Sequence, residues 1–345
     1  MSLVNRLLAV GFAGVVGAAT LVVPASAGAA TTAAVAATAA YDTTSSLERK
    51  RVDSVLAPKL DWYPCNGVGE CATVQLPLDY DKPEGATVEI AVARVKARNQ
   101  KAKIGTLFVN PGGPGGQGTA MALEASFFLS DVLLDRFDIV GFDPRGIGYS
   151  ANIKCFKSTG DQTRAYAGLD VAFPWGKTQE QAFIASAKAL GKGCSTTGKA
   201  LAGAMSTAQV ARDMDVLRRA VGDSKLTFLG FSYGSALGQY YANMFPDRVR
   251  SVAVDGVVNP VSWVGTSATQ QLIQDDRMRS SDGAYRALIE ILKRCDAKGP
   301  QYCAFSAGDP VQRFAKMAAR LRAEPLIITD PELGDLKVTY ADVVA

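Results

Sequence analysis

Five residues near the middle of the chain, Gly230-Phe231-Ser232-Tyr233-Gly234, fit the pattern G-x-S-x-G. A serine in that pattern typically attacks a carbonyl carbon after a histidine has removed its hydroxyl proton. The 345-residue sequence contains no histidine. Ser232 is therefore a candidate nucleophile without an imidazole base in the same sequence.

The residues around Ser232 predict a strand, a sharp turn and a helix. An apolar run precedes the motif, and after it apolar side chains recur at helical spacing up to Pro246: Leu237, Tyr240, Tyr241 and Met244. Small residues flank the serine because the backbone must turn sharply there. The start of the helix favours negative charge at the serine oxygen. This context favours a nucleophile over a purely structural turn of Gly and Ser.

A glycine-rich loop, LFVNPGGPGGQG from Leu107 to Gly118, follows the predicted strand Gly105 to Val109. In enzymes with this serine motif, such a loop supplies one backbone N–H of the oxyanion hole, and the residue after the nucleophile supplies the other. We assign these two donors to Gly113 and Tyr233, with Gly112 as the alternative to Gly113. A phosphate-binding loop is excluded because neither G-x-x-x-x-G-K-[ST] nor a helix-opening G-x-G-x-x-G is present.

The segment GFDPRGIGYS, from Gly141 to Ser150, combines an acid, a base and three glycines. We interpret it as structural, with Asp143 and Arg145 paired and the glycines shaping a loop beside the nucleophile. Direct catalysis by Asp143 is the less favoured reading.

The first 27 residues have the organisation of a secretory signal peptide: a short start with Arg6, an apolar run and the A-x-A site Ala25-Ser26-Ala27. We expect cleavage after about Ala27. A membrane anchor is disfavoured because glycines interrupt the run and it falls short of about 20 residues. The Ala- and Thr-rich stretch 28–51 is predicted to be a disordered leader or propeptide. The mature chain is expected to be secreted and to have no membrane partner.

Six cysteines suit an oxidising compartment. They allow 15 pairings, of which we favour the sequential one because each bond then closes a short or moderate loop: Cys65 with Cys71, Cys155 with Cys194, and Cys295 with Cys303. A metal site is disfavoured because the chain has neither C-x-x-C spacing nor histidine. The net charge of +4 is small and evenly distributed, so no nucleic-acid partner is expected. No cofactor is expected either.

The rest of the chain predicts an α/β fold. Strand-like runs at 86–95, 105–109, 137–142, 226–229 and 251–254 alternate with helical patterns, of which the clearest starts after Ser206 and ends before Gly222. Such alternation indicates a mostly parallel sheet with helices on both faces. We assign this core to 52–260. From 261 to 345 helical segments dominate, at 284–295 and 310–323, with one further strand-like run at 326–329, and we interpret the region as an incomplete helical cap.

Taken together, these motifs resemble the secreted tripeptidyl aminopeptidases of actinomycetes and their proline iminopeptidase relatives, a serine-peptidase branch of the α/β-hydrolases. The resemblance covers nearly all of Asp61 to Pro260 and includes DWYPC, NPGGPGG, GFDPRGIGYS, GFSYGSALGQYYANMFPDRV and VDGVVNP in that order. It implies release of tripeptides or other short N-terminal peptides through a Ser-His-Asp triad and an acyl-enzyme. It does not fix the substrate, because relatives with the same core include esterases.

In such enzymes the acid and the histidine follow the serine. Here the family pattern enters the cap and stops at KVTYADVVA. We therefore expect that the sequence is truncated, with the last strands of the sheet missing, and that this chain is inactive alone. Asp255 is a less favoured candidate for the acid, and no carboxylate can replace the imidazole base.

Asp275 and Asp276 are weak candidates for holding the amino terminus of a peptide substrate. Two other hypotheses stay open for the whole chain. One is a non-catalytic secreted protein that binds peptides or lipids, and the other is an enzyme completed in trans by a separate C-terminal segment.

Overall fold

The computed structural model describes residues 43–332 and 334–344, so the predicted signal peptide and most of the predicted leader lie outside the described residues. Seven strands form the main sheet: β1 Tyr63–Cys65, β2 Gly69–Pro77, β3 Thr87–Val95, β4 Gly105–Asn110, β5 Phe137–Phe142, β6 Leu226–Phe231 and β7 Val249–Asp255. A separate antiparallel hairpin consists of β8 Leu326–Asp330 and β9 Gly334–Val338.

The helices follow the order of the chain and include several short ones: α1 Ser46–Asp53, α2 Gly118–Leu123, α3 Asp131–Arg136, α4 Thr159–Tyr166, α5 Lys177–Gly193, α6 Lys199–Gly203, α7 Thr207–Ala220, α8 Tyr233–Met244, α9 Pro260–Val264, α10 Gln274–Met278, α11 Ser280–Lys298, α12 Pro310–Ala323 and α13 Tyr340–Val344. The helix predicted after Ser206 is confirmed as α7, whose first turn is capped by the Ser206 hydroxyl accepting from the Gln209 N–H. Among the described residues, no helix is both long enough and apolar enough to span a bilayer.

The sheet has the spatial order β1-β2-β3-β5-β4-β6-β7. Strands β5, β4, β6 and β7 pair in parallel, whereas β1, β2, β3 and β5 pair antiparallel. The carboxyl ends of the parallel strands therefore meet at one edge, where the loops after β4, β5, β6 and β7 lie together. This is the edge at which open α/β sheets place their sites.

Helices cover both faces of the sheet, as the alternation of strands and helices predicted. The β4 side chains show this directly: Phe108 packs with Met214 and Leu217 of α7, while Leu107 and Val109 pack with Met121 of α2. Because successive strand residues point to opposite faces, one buried strand contributes to two apolar clusters.

A helix lies partly inside the segment that was predicted to be a disordered leader. Residues 28–51 were given that interpretation, yet α1 spans Ser46–Asp53. Val52, the first residue of the predicted core, is fully buried. Charged residues attach α1 to α7, since the Arg212 guanidinium donates to both carboxylate oxygens of Glu48 at 2.7 and 2.8 Å. The composition of the predicted leader did not indicate this helix, because the helix is held by ion pairs to residues that are distant in the sequence.

Glu48 gives a testable pH dependence. Burial alone would raise the pKa of Glu48, but hydrogen bonds from Arg212 and Arg51 outweigh it, so the pKa lies below the usual 4.5. A lowered pKa contributes stability above the unfolded value, and that stability is lost as pH falls through the folded value. We expect Glu48→Gln to lower the free energy of unfolding by about 2 kcal/mol at pH 7 and by less near pH 3.5. Urea denaturation at both pH values measures this.

The control for that measurement is Glu290→Gln, which removes an exposed ion pair with Arg294 and should change the free energy of unfolding by less than about 0.5 kcal/mol. An equal loss at both pH values for Glu48→Gln would contradict a role for the ionised carboxylate.

Three disulfides pair the cysteines in the sequential order favoured from their spacing: Cys65–Cys71, Cys155–Cys194 and Cys295–Cys303. The first joins β1 to β2 at the antiparallel edge of the sheet. The second connects the segment after β5 to the end of α5, and the third joins α11 to the loop after it.

Candidate active site

Ser232 lies between the last residue of β6 and the first residue of α8, with φ 55° and ψ −122°. A positive φ is costly for a residue with a side chain, and it persists only where the surroundings hold it. Here the Ser232 N–H donates to the Asp255 carbonyl at 2.8 Å. The Ser232 carbonyl accepts from both the N–H and the hydroxyl of Ser235, at 2.9 and 2.6 Å. The turn therefore presents an exposed serine side chain at the start of a helix.

Gly230 permits this turn because backbone fills the space where a side chain would be. A Cβ on Gly230 would lie 2.4 Å from the Gly234 carbonyl oxygen and 2.6 Å from a ring carbon of Phe228. We expect Gly230→Ala to lower the free energy of unfolding by about 1–3 kcal/mol through overpacking. Chemical denaturation with intrinsic fluorescence measures the change.

The matched control is Gly191→Ala near the end of α5, where an added Cβ would meet no atom within 4 Å. Because alanine is the better helix former, this variant should be unchanged or more stable by up to about 1 kcal/mol. Equal effects of the two substitutions would show that the tight turn around Ser232 does not constrain position 230.

The glycine-rich loop after β4 contacts the turn directly. Gly112 has φ +93°, and a Cβ there would lie 2.9 Å from both the Ser232 Cβ and the Tyr233 backbone nitrogen. The Gly112 N–H donates to Asn110 Oδ1 at 2.9 Å. Within the described part of the chain, the N–H groups of Gly113 and Tyr233 have no protein acceptor. The assignment of Gly113 and Tyr233 as oxyanion-hole donors stays a prediction, and the N–H of the alternative donor, Gly112, is engaged by Asn110.

The Tyr233 side chain has a separate structural role. Its hydroxyl shares a hydrogen bond of 2.7 Å with Thr207 Oγ1, and its ring packs at 5.5 Å against that of Trp263 in α9. Burial raises the pKa of the Tyr233 hydroxyl. The phenol is therefore kept neutral and does not serve as a base for Ser232 near pH 7.

Asp143 is fully buried and positions the start of α2. It accepts from the Thr119 N–H and hydroxyl at 3.0 and 2.8 Å and from the Tyr149 N–H at 2.8 Å. These bonds connect the loop after β5 to the helix that follows the glycine-rich loop. With its oxygens engaged this way, Asp143 has the structural role that the sequence favoured.

The predicted pairing of Asp143 with Arg145 is wrong. Arg145 instead makes a bidentate ion pair with Asp213 of α7, at 2.6 and 2.7 Å, and both side chains are fully buried. Its remaining donors bind three backbone carbonyls, those of Pro77, Leu78 and Ala204. The sequence neighbours separate because Asp143 points to α2, while Arg145 points to the opposite side of the loop.

The structure brings Asp255 to the turn through its backbone. Its carbonyl accepts from Ser232, while its exposed carboxylate accepts from the N–H of the next residue, Gly256, at 2.6 Å. Asp275 and Asp276 lie exposed in the first turn of α10. No contact within the described residues joins either of them to Ser232. No group of three or more metal-ligating side chains occurs in this part of the chain either.

An open cavity of about 500 Å³ lies beside the turn. The motif residue Phe231 forms one wall and meets Phe128 edge to face at 6.2 Å. The other lining residues come from the glycine-rich loop and α2: Pro111, Gly116, Gln117, Ala120, Met121 and Glu124. Sequence reasoning missed this cavity, although the apolar side chains after the loop were a usable signal.

The fold agrees with a comparison to known protein families. A family model described as alpha/beta hydrolase fold matches residues 105–280, just over half of the chain. The chain belongs to the α/β-hydrolase family.

Three curated relatives are similar over part of the chain. "Serine protease Hip1" of Mycobacterium tuberculosis is 37% identical over 216 residues, which are 59% of this chain and 41% of that protein. "Tripeptidyl aminopeptidase" of Streptomyces lividans is 34% identical over 246 residues, 66% of this chain and 45% of that protein. "Carboxylesterase B" of M. tuberculosis is 34% identical over 232 residues, which are 63% of this chain and 43% of that protein.

The chain thus spans less than half the length of the curated relatives it matches. Among solved structures, a proline iminopeptidase of Mycobacterium smegmatis is 16% identical with a TM-score of 0.36, over 79% of this chain and 66% of that one.

Proposed function

We propose that the protein is a secreted serine hydrolase in which Ser232 is the nucleophile, and that it releases tripeptides or other short N-terminal peptides through an acyl-enzyme. One observation carries the proposal: an exposed serine at φ 55° between a strand and a helix. Non-glycine residues rarely adopt such a backbone, and strain of this kind concentrates at reactive sites. The three disulfides and the signal-like first 27 residues support export.

In this mechanism Ser232 Oγ attacks the scissile carbonyl and the amine or alcohol leaves. The N–H groups of Gly113 and Tyr233 would stabilise the negative charge that develops on the carbonyl oxygen, a contribution of about 3–4 kcal/mol per donor in related chemistry. The start of α8 adds a favourable dipole at the same point.

An imidazole and an acid are needed to move the proton, and this sequence contains no histidine. We propose that both come from residues outside these 345, either in the same polypeptide or in a second one. Strand β7 supports this, since among the described residues it pairs only with β6 and leaves one edge for a further strand.

The test compares thioesters with a common benzyl thiol leaving group, in buffer containing imidazole as an external base. An aminopeptidase should be acylated faster by a tripeptidyl thioester with a free amine than by thiobenzyl butyrate, as followed by thiol release. The reverse order would favour an esterase, which the similarity to Carboxylesterase B makes the second candidate. No acylation by either compound would favour a non-catalytic binding protein.

A further inference from the structure

The peptide unit between Ser232 and Tyr233 is held at its carbonyl end by one buried residue. Ser235, the third residue of α8, is fully buried. Its hydroxyl donates to the Ser232 carbonyl at 2.6 Å, and its backbone N–H donates to the same oxygen at 2.9 Å. A carbonyl oxygen has two lone pairs, so Ser235 alone can fill both acceptor positions of this carbonyl.

The Ser235 hydroxyl is itself fixed by the loop after β7. A hydroxyl has one proton to donate, and its oxygen can accept from another donor. The Val258 N–H donates to the Ser235 oxygen at 3.0 Å, which leaves the hydroxyl proton for the Ser232 carbonyl. Gln239 Nε2 donates to the Val258 carbonyl at 3.2 Å. Both backbone polar groups of Val258 are therefore bonded to α8, and the loop holds the hydroxyl in one orientation.

The direction of the Tyr233 N–H depends on the same bonds. A peptide unit is planar and almost always trans, so its carbonyl and its N–H point in opposite directions. Fixing the Ser232 carbonyl therefore fixes the line along which the Tyr233 N–H points. Hydrogen bonds accepted by a carbonyl also polarise its peptide unit and strengthen the N–H as a donor. The Ser235 hydroxyl thus controls both the orientation and the strength of one donor at the turn.

We propose that Ser235 is a positioning residue whose hydroxyl directs the Tyr233 N–H toward the oxygen of the carbonyl that Ser232 attacks. The proposal rests on the proposed function, in which that N–H is one of two donors to the developing oxyanion. Because Ser235 is fully buried, it acts through the peptide unit that it holds. Its effect belongs to the step in which negative charge develops on the carbonyl oxygen, and binding of the substrate does not depend on it.

The experiment follows thiol release as the full chain is acylated in imidazole buffer, over a range of concentrations of a tripeptidyl thioester. Loss of one oxyanion donor costs about 10²- to 10³-fold in rate. In Ser235→Ala the donor is misdirected and not lost, so the limiting rate of acylation should fall about tenfold. The concentration of thioester that gives half of the limiting rate should stay unchanged.

A second probe separates this role from a general loss of structure. It is the matching dithioester, in which sulfur replaces the carbonyl oxygen. Because sulfur is a weak hydrogen-bond acceptor, Ser235→Ala should lower the rate of acylation by the dithioester less than about twofold. The ratio of the thioester rate to the dithioester rate should therefore be smaller in the variant than in the native chain.

The matched control is Ser186→Ala in α5. It also removes a buried serine hydroxyl that accepts from a backbone N–H, that of Gly168 at 3.0 Å. Both probes should acylate this variant as they acylate the native chain. Equal acylation of the native chain and Ser235→Ala, or an equal loss with both probes, would overturn the role of Ser235 alone. No acylation of the native chain by either probe would instead contradict Ser232 as the nucleophile, and with it both proposals.

Discussion

The 345-residue chain is expected to hydrolyse a tripeptidyl thioester no faster than its Ser232→Ala variant in buffer without a nucleophilic base. Loss of triad function in serine hydrolases lowers the rate by about 10⁴- to 10⁶-fold, because the hydroxyl proton has no acceptor of suitable pKa. The chain has no histidine, and burial raises the pKa of the neighbouring Tyr233. Asp255 meets Ser232 only through its carbonyl.

Added imidazole should raise the rate of thioester hydrolysis by the native chain. The Ser232→Ala variant should stay at the rate measured in the same buffer without protein. The reason is that the turn already exposes Ser232 at the start of a helix, and imidazole supplies the proton acceptor that the sequence lacks. Ser126→Ala, which removes another exposed serine, is the control and should respond to imidazole as the native chain does. Turnover without imidazole that Ser232→Ala abolishes would show that the chain contains its own base.

Arg145→Met is expected to cause the largest loss of stability, about 3–5 kcal/mol in the free energy of unfolding. The variant leaves Asp213 fully buried without its cation. Among the described residues, the Tyr80 hydroxyl is then the one side chain that donates to it, at 2.9 Å. Three backbone carbonyls also lose their donor. Urea denaturation measures the loss, and Arg294→Met, at an exposed ion pair, should change the value by less than about 0.5 kcal/mol.

The loss in Arg145→Met should depend on pH. Burial raises the pKa of the Asp213 carboxyl even with Arg145 present, and removing the cation raises it further. A raised folded pKa means that stability is lost as pH rises from the unfolded value toward the folded one. The difference between variant and native chain should therefore be smaller near pH 4 than at pH 7. A difference that does not vary with pH would contradict a buried, uncompensated carboxylate.

Much of the parallel half of the fold could be predicted from local patterns. The strand at Phe137–Phe142 and the helix at Pro310–Ala323 have the predicted bounds, because continuous apolar runs and proline or glycine boundaries mark them. Strands β1 and β2 were missed, since their residues are held by pairing with β3 and by a disulfide. Strand β9 was missed because its side chains are mostly exposed.

The candidate active site likewise has features that the local sequence predicts and features that depend on tertiary contacts. The turn at Ser232 follows from local sequence, because glycines and a strand-to-helix transition specify it. The oxyanion-hole donors Gly113 and Tyr233 stay a prediction. The partner of Arg145 and the cavity beside Phe231 depend on residues brought together by the fold, 68 positions apart in the case of Asp213. The local motif favours a sequence neighbour, Asp143, as the ion-pair partner of Arg145, whereas the packing of the folded chain places Asp213 there.

The most direct test of the account is the site of acylation. The native chain is incubated with a tripeptidyl thioester and imidazole, quenched in acid and digested, and the modified peptide is sequenced by mass spectrometry. The acid quench traps the acyl-enzyme before it is hydrolysed, so up to one acyl group per chain should be found, located on Ser232 and absent from Ser232→Ala. Acylation at another residue, or an unchanged adduct in Ser232→Ala, would contradict the assignment of Ser232 as the nucleophile.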